Sequence, residues 1–131
     1  ARERAITEAL ESGEESLARM GLVALGSDCP PRLVASVLTT LAQPAPELQL
    51  QAIRVLGSTT NPLVVPHLLM LVRARRRWFG RQRLLPRTPV MLAALELLAR
   101  RWSTHRPVLS TMQLAGRSSD AEVRAAVGGK A

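Results

Sequence analysis

The amino-acid sequence predicts an all-α fold built from repeated pairs of helices. Apolar residues make up 47% of the 131 residues, and Leu, Ala and Val dominate, with one Phe and no Tyr. Sheets draw on aromatic and β-branched residues, whereas closely packed helices can be built from strong helix formers such as Leu and Ala. Apolar residues also recur at spacings of three and four, and one pattern of two helix-length segments occurs again further along the chain.

The clearest repeat joins residues 20–41 to residues 51–72, which align without a gap at an offset of 31. Leu25-Gly26-Ser27 falls on Leu56-Gly57-Ser58, and in both copies apolar segments flank a short polar break that contains proline. Self-similarity at such a period is typical of stacked helical hairpins, each of which buries its apolar face against a neighbour. We therefore expect the same hairpin at both places.

A third copy begins near Pro89, where ALELLA (94–99) matches AIRVLG (52–57) at an offset of 42. The longer offset predicts an insertion of about eleven residues between Arg73 and Arg87. We expect one domain, 1–131, with repeats at 14–42, 46–73 and 88–117, a partial copy at 119–131 and an insertion at 74–87.

Each copy is interpreted as two helices, with one further helix at each end. The predicted helices are 2–12, 14–26, 30–42, 46–58, 62–73, 88–102, 105–117 and 120–128. Polar residues before proline or before an acid predict the helix starts: Asp28 or Cys29 before Pro30-Pro31, Asn61 before Pro62, and Ser119 or Asp120 before Ala121-Glu122. Gly128-Gly129 is predicted to stop the last helix.

Apolar stripes predict which helix faces are buried. The two clearest are Leu48, Ala52, Val55 and Leu56, and Leu92, Leu95, Leu98 and Ala99. The segment 63–72 is apolar nearly all round, so we expect it between flanking helices. Pro66 within it would remove a hydrogen bond from a helix interior, so that helix is expected to begin later or to bend there.

Two motifs resemble HEAT repeats. Asp120-Ala-Glu-Val-Arg-Ala-Ala resembles the family's Asp-x-x-Val-Arg-x-x-Ala start of a first helix, and Val64-Val65-Pro66-His67-Leu68-Leu69 resembles its Pro-x-Leu opening of a second helix. The resemblance covers about residues 14–128 apart from the insertion, and the Asp/Val/Arg pattern is degraded at Gln49-Leu50-Gln51. It implies a short right-handed α-solenoid of about three to four HEAT-like helical hairpins with a basic loop insertion. It also implies a non-catalytic scaffold or adaptor, although a minority of related α-solenoids bind or modify DNA or attach bilin pigments.

The charge of the chain indicates an anionic partner. The formal net charge is +8, and seventeen of the eighteen basic residues are Arg, the exception being Lys130. The planar guanidinium of Arg binds carboxylate and phosphate through a fork of donors. A codon bias toward Arg would explain the overall excess equally well, but it would not explain why the arginines cluster.

The cluster is the insertion, which with its flanks reads RARRRWFGRQRLLPR and contains no acid. Insertions in solenoids often carry binding, and an anion relieves the repulsion among such closely spaced charges. The predicted binding residues are Arg73, Arg75, Arg76, Arg77, Trp78, Phe79, Arg81, Arg83 and Arg87. The expected partner is an acidic protein surface; nucleic acid and an anionic membrane surface stay open as alternatives. Another hypothesis is a solvated loop whose aromatic residues fold back, with Leu84 and Leu85 inserted in the core.

The remaining chemistry-bearing residues predict no enzyme, metal site or cofactor. Cys29, the one cysteine, is expected to be a capping or buried thiol, and a cytoplasmic location is compatible with it. His67 and His105 have no second ligand at a metal-binding spacing. Trp102, beside Arg100 and Arg101, is expected at the edge of the core or in a cation–π contact. The longest apolar run, Leu68–Val72, is too short to span a bilayer.

Overall fold

The computed structural model describes residues 2–73 and 84–128, and it confirms the predicted all-α class. Within these residues a 3₁₀ turn occupies Pro31–Leu33, and the helices are α1 (Arg2–Leu10), α2 (Glu15–Leu25), α3 (Val34–Leu41), α4 (Pro46–Leu56), α5 (Val64–Met70), α6 (Pro89–Arg101), α7 (Arg106–Gly116) and α8 (Ala121–Gly128). Most helix ends lie within two residues of the prediction. The exceptions are the start of α3 and the C-terminal end of α5. The chain divides into two compact units, Ala1–Val64 and Val65–Ala131.

In the first unit, helices pack both against a neighbour in the chain and against the helix two positions away. α1 packs against α2 and α3, and α4 packs against α2 and α3. Leu22 of α2 and Leu48 of α4 are completely buried in this packing. Between the ends of α2 and α4, the Ser58 hydroxyl donates to the carbonyl of Ser27 at 3.1 Å. These two serines are the positions that the 31-residue alignment makes equivalent, so aligned positions are neighbours in space.

The helix start predicted at Asp28 or Cys29 is wrong. No side chain caps the turn there; Pro30 stands at its N-cap with an extended ψ of 145°, and Pro31 is its first residue. A residue before proline is kept out of the helical region by a clash with the proline ring, so the chain cannot enter a helix until after Pro30. A 3₁₀ turn follows, and α3 begins only at Val34.

α5 begins at Val64, so the later start that Pro66 led us to expect is confirmed. Asn61 Oδ1 accepts a hydrogen bond from the Leu63 N–H at 3.0 Å, so its side chain closes a turn before the helix. Pro66 is the third residue of the helix, where a backbone N–H has no partner within the helix and proline costs little.

The segment 63–72 is buried over only part of its surface. Val64, Leu68 and Val72 are buried, whereas Leu63 is 59% and Met70 is 72% exposed. One side of this segment is therefore open to solvent in spite of its apolar composition.

In the second unit α6 packs against α7 and α8, and α7 packs against α8. The completely buried side of α6 includes Ala94, Leu95 and Leu98, whereas Leu92 and Ala99 of the predicted stripe are only half-buried. The predicted stripe was therefore correct for Leu95 and Leu98, whereas Leu92 and Ala99 lie at the edge of the buried face and Ala94 lies within it. No helix in the part of the chain that the structure describes is long and apolar enough to cross a membrane.

Side-chain caps begin two of these helices. The Thr88 hydroxyl accepts from the Met91 N–H at 3.1 Å and Pro89 is the first residue of α6, a cap that the sequence interpretation missed. Of the two caps predicted for α8, Ser119 and Asp120, the structure shows Asp120, because its Oδ1 accepts from the N–H groups of Glu122 and Val123.

Candidate partner-binding site

The two ends of the arginine-rich insertion lie side by side. Arg73 and Leu84 form an isolated antiparallel β-bridge, and the Leu85 N–H donates to the Val72 carbonyl at 2.7 Å. On the helix side, the Arg73 N–H donates to the Leu69 carbonyl at 2.8 Å, which ties the bridge to the end of α5. Arg73 and Leu84, which flank residues 74–83 in the sequence, therefore lie side by side on the second unit.

Most of the predicted binding residues belong to that segment. Those outside the described residues are Arg75, Arg76, Arg77, Trp78, Phe79, Arg81 and Arg83. Arg73 and Arg87 are described, and they lie at the base. Leu84 and Leu85 are half-buried, so they contribute to the base without being enclosed in the core.

Arg87 binds two acids of its own chain. Its Nε lies 3.0 Å from Asp120 Oδ2, and its Nη1 lies 2.7 Å from Glu122 Oε2. The hydrogen bond to Glu122, followed by the charges of Asp120 and Glu122, raises the pKa of the guanidinium. Because Asp120 also caps α8, Arg87 connects the end of the insertion to the start of that helix. Its binding to a partner stays a prediction, but here its donors are occupied by internal acids.

A second group of arginines lies where α6 ends and α7 begins. We call Arg100, Arg101 and Arg106 the α6–α7 corner; all three side chains are exposed. The four-residue link between the helices is closed by a hydrogen bond from the His105 N–H to the Trp102 carbonyl at 3.1 Å. The sequence does indicate this group, because no acid occurs between Glu96 and Asp120. It was not predicted because the insertion has more arginines in fewer residues.

Trp102 anchors this corner to the core, which confirms the predicted position at the core edge. Its side chain is only 7% exposed, and its ring meets the His105 ring edge to face, with centroids 5.2 Å apart. The buried indole Nε1 has no hydrogen-bond partner among the described residues. The link between α6 and α7 therefore contains a buried aromatic side chain, next in sequence to the exposed Arg101.

Cys29 is a buried thiol, as predicted. Burial, followed by the charge of Asp28, raises its pKa to about 11, and Sγ donates to the Pro30 carbonyl at 3.6 Å. A thiol in this state is a poor nucleophile at neutral pH. Within the described ranges, no three His, Cys, Asp or Glu side chains are grouped to hold a metal ion.

Comparisons with protein-family models, with curated proteins and with solved structures found no match to this chain. The feature that distinguishes the chain's own residues is the arginine-rich segment, free of acids, that is flanked by the paired Arg73 and Leu84.

Proposed function

We propose that the chain is a non-catalytic scaffold or adaptor of HEAT-like hairpins that binds an acidic protein partner through the arginine-rich insertion. The observation that carries the proposal is the pairing of Arg73 with Leu84, because the ten residues between them include five arginines and no acid. A loop whose ends are held together loses less conformational entropy on binding than a free chain does.

The repeat interpretation is supported within each unit separately. In the first, α2 packs against α4, the two helices predicted to be first helices of consecutive hairpins, and Ser58 bonds to its aligned residue Ser27. In the second, α6 packs against α8, the first helices of the third and the partial copy. Packing of corresponding helices is what a stack of hairpins requires. A solenoid arrangement is thus our proposal for the fold family.

The charge distribution supports an acidic partner. Residues 65–131 contain thirteen basic and three acidic residues, a net charge of +10, whereas residues 1–64 contain five basic and seven acidic residues, a net charge of −2. Two of the three acids in the second unit, Asp120 and Glu122, bind Arg87. The other arginines there have few internal acids to pair with, and a carboxylate-rich surface would complement them.

The proposal is tested by replacing Arg75, Arg76 and Arg77 together with Ser. The probe is a fluorescein-labelled peptide of glutamate with interspersed leucine, and its binding is followed by fluorescence anisotropy. We expect helical content and melting temperature to stay nearly unchanged while affinity falls about tenfold, since several charge-assisted contacts are lost. A collapse of the melting temperature would make the insertion structural.

Two further probes separate the alternative partners. A single-stranded oligonucleotide that binds more tightly than the peptide, with affinity falling steeply as salt is added, would favour a nucleic-acid partner instead. Binding to vesicles that contain phosphatidylserine, but not to neutral vesicles, would favour peripheral attachment to a membrane. The reducing cytoplasm that we propose as the location is compatible with the reduced, buried thiol of Cys29.

A further inference from the structure

A small cavity opens in the first unit, where the C-terminal end of α2 lies near α1 and the turn before α3. Its volume is about 220 Å³, which is below the range of about 300–1,000 Å³ that is usual for small-molecule pockets, so it has room for a side chain. Among its lining residues Ile6 and Leu33 are buried, whereas Glu3 and Asp28 are exposed. The cavity is therefore apolar inside and acidic where it meets solvent.

The two carboxylates at this cavity are not neutralised by the described residues. Glu3 and Asp28 form no ion pair within the described ranges, whereas two other acids of the same unit pair with arginines. A cation in the cavity is attracted to both carboxylates, because both line it. Residues 1–64 have a net charge of −2, so the unit as a whole also favours a cation.

An exposed apolar stripe of α2 ends at the same cavity. Leu17, Met20 and Ala24 follow one another at spacings of three and four, which places them on one side of the helix. Leu17 is 39% and Met20 is 65% exposed, and Ala24, which is also exposed, lines the cavity. The buried residues of α2 include Ala18 and Leu22, so the stripe lies outside the core. Contiguous apolar side chains on a surface are typical of a protein-binding site.

The cavity and the stripe together indicate the chemistry of the occupant. Lysine and arginine each combine an aliphatic stem with a terminal cation, so the stem fits the apolar interior and the charge lies beside Glu3 and Asp28. A nucleic acid would be repelled by these carboxylates. The stripe extends about 10 Å along α2, the rise of seven residues, so covering it requires apolar side chains in addition to the cation.

We propose that the cavity and the α2 stripe form a docking surface for a protein segment that carries a lysine or arginine beside apolar side chains. The inference goes beyond the proposed function and does not rest on it. The surface lies in the first unit and takes a basic segment, whereas the insertion belongs to the second unit and is proposed to bind an acidic one.

The test is the double variant Glu3→Gln, Asp28→Asn in the full chain. The probe is a fluorescein-labelled peptide of arginine with interspersed leucine, followed by fluorescence anisotropy. The matched control is Glu14→Gln, Glu15→Gln, which removes the same charge from exposed positions at the start of α2. We expect the cavity variant to bind about tenfold more weakly and the control to change by less than about twofold. Equal losses in the two variants would overturn the proposal, because net charge alone would then explain the binding.

A second pair of variants tests the apolar stripe. Met20→Ser is expected to weaken binding of the arginine–leucine peptide about threefold, because apolar contact area is lost, and to leave binding of an arginine–serine peptide unchanged. Met70→Ser, at an exposed methionine of the second unit, is the control and is expected to change neither. If the unaltered chain binds both peptides equally well, the stripe has no part in docking.

Three further measurements separate this proposal from its alternatives. Spermidine, a free polyamine, that displaces the peptide at equal concentration would overturn the protein partner. Self-association of the chain that Glu3→Gln, Asp28→Asn abolishes would make the occupant a second copy and overturn a separate partner. Replacing Arg75, Arg76 and Arg77 with Ser is expected not to weaken binding of the arginine–leucine peptide, so failure of either proposal is visible without failure of the other. If the double variant does not fold, Asp28→Asn alone serves, with an expected loss of about threefold.

Discussion

The two ends of α6 use arginine in different ways. Before its start, Arg87 lies within 3.0 Å of both Asp120 and Glu122 and connects the insertion to α8. After its end, Arg100 and Arg106 are exposed and have no acid partner among the described residues. The comparison teaches that an arginine's role depends on whether the fold brings an acid to it. Arg87 pairs with two acids of its own unit, whereas Arg100 and Arg106 form no ion pair with the described residues.

The largest loss of stability is expected from a substitution in the core of α6, because the arginines at both of its ends are positioned by this helix. Leu95 is completely buried in the middle of this helix. We expect Leu95→Ala to lower the free energy of unfolding by about 2–5 kcal/mol, since the truncation leaves a cavity that the surroundings fill only in part. Urea denaturation measures the loss. Leu92→Ala, at a half-buried position of the same helix, is the control and is expected to cost clearly less.

Asp120→Ala is expected to destabilise next most strongly, because this carboxylate has two roles. It accepts from two N–H groups at the start of α8 and it binds Arg87. Loss of an N-cap costs about 0.5–2 kcal/mol, so we expect about 1–2 kcal/mol in thermal unfolding. Ser119→Ala, one residue earlier and exposed, is the control. A similar loss in both variants would mean that Asp120 does not cap α8.

Substitutions of Arg106 and Arg100 are expected to change the stability of the chain in opposite directions. Arg106→Gln should raise stability by about 0.3–1 kcal/mol, because it removes a cation from the positive end of α7, whereas Arg100→Gln should lower it by a similar amount at the negative end of α6. Parallel thermal unfolding at low ionic strength measures both. Two losses of equal size would show that Arg106 has an internal partner.

The smallest effect is expected for Arg87→Gln. Its side chain is 46% exposed, and exposed ion pairs contribute little to stability. We expect a slight fall in melting temperature at low salt that disappears at high salt, because mobile ions screen the pairs. A fall that persists at high salt would instead mean that the Arg87 side chain stabilises the base of the insertion by packing.

Much of the fold was predictable because it depends on local signals. Apolar periodicity, the internal repeat and the cap signals together located the eight helices of the described residues, and the 31-residue alignment anticipated the neighbouring positions of Ser27 and Ser58. An error occurred where proline controls the backbone, because Pro31 delays the start of α3. The later start of α5 was expected because of Pro66, which lies in its first turn. The candidate site was predicted from charge density alone, which is why the insertion was found and the more widely spaced corner was not.

What the sequence by itself determined is the helical class, most helix boundaries, the cap at Asp120 and the excess of arginine, because these follow from spacing, side-chain type and nearest neighbours along the chain. Only the tertiary structure decided that Leu63 and Met70 are exposed, that Arg73 pairs with Leu84, and that Arg87 binds Asp120 and Glu122. These contacts join residues that are distant in sequence or depend on which face meets a neighbour. Helical periodicity contains no information about either.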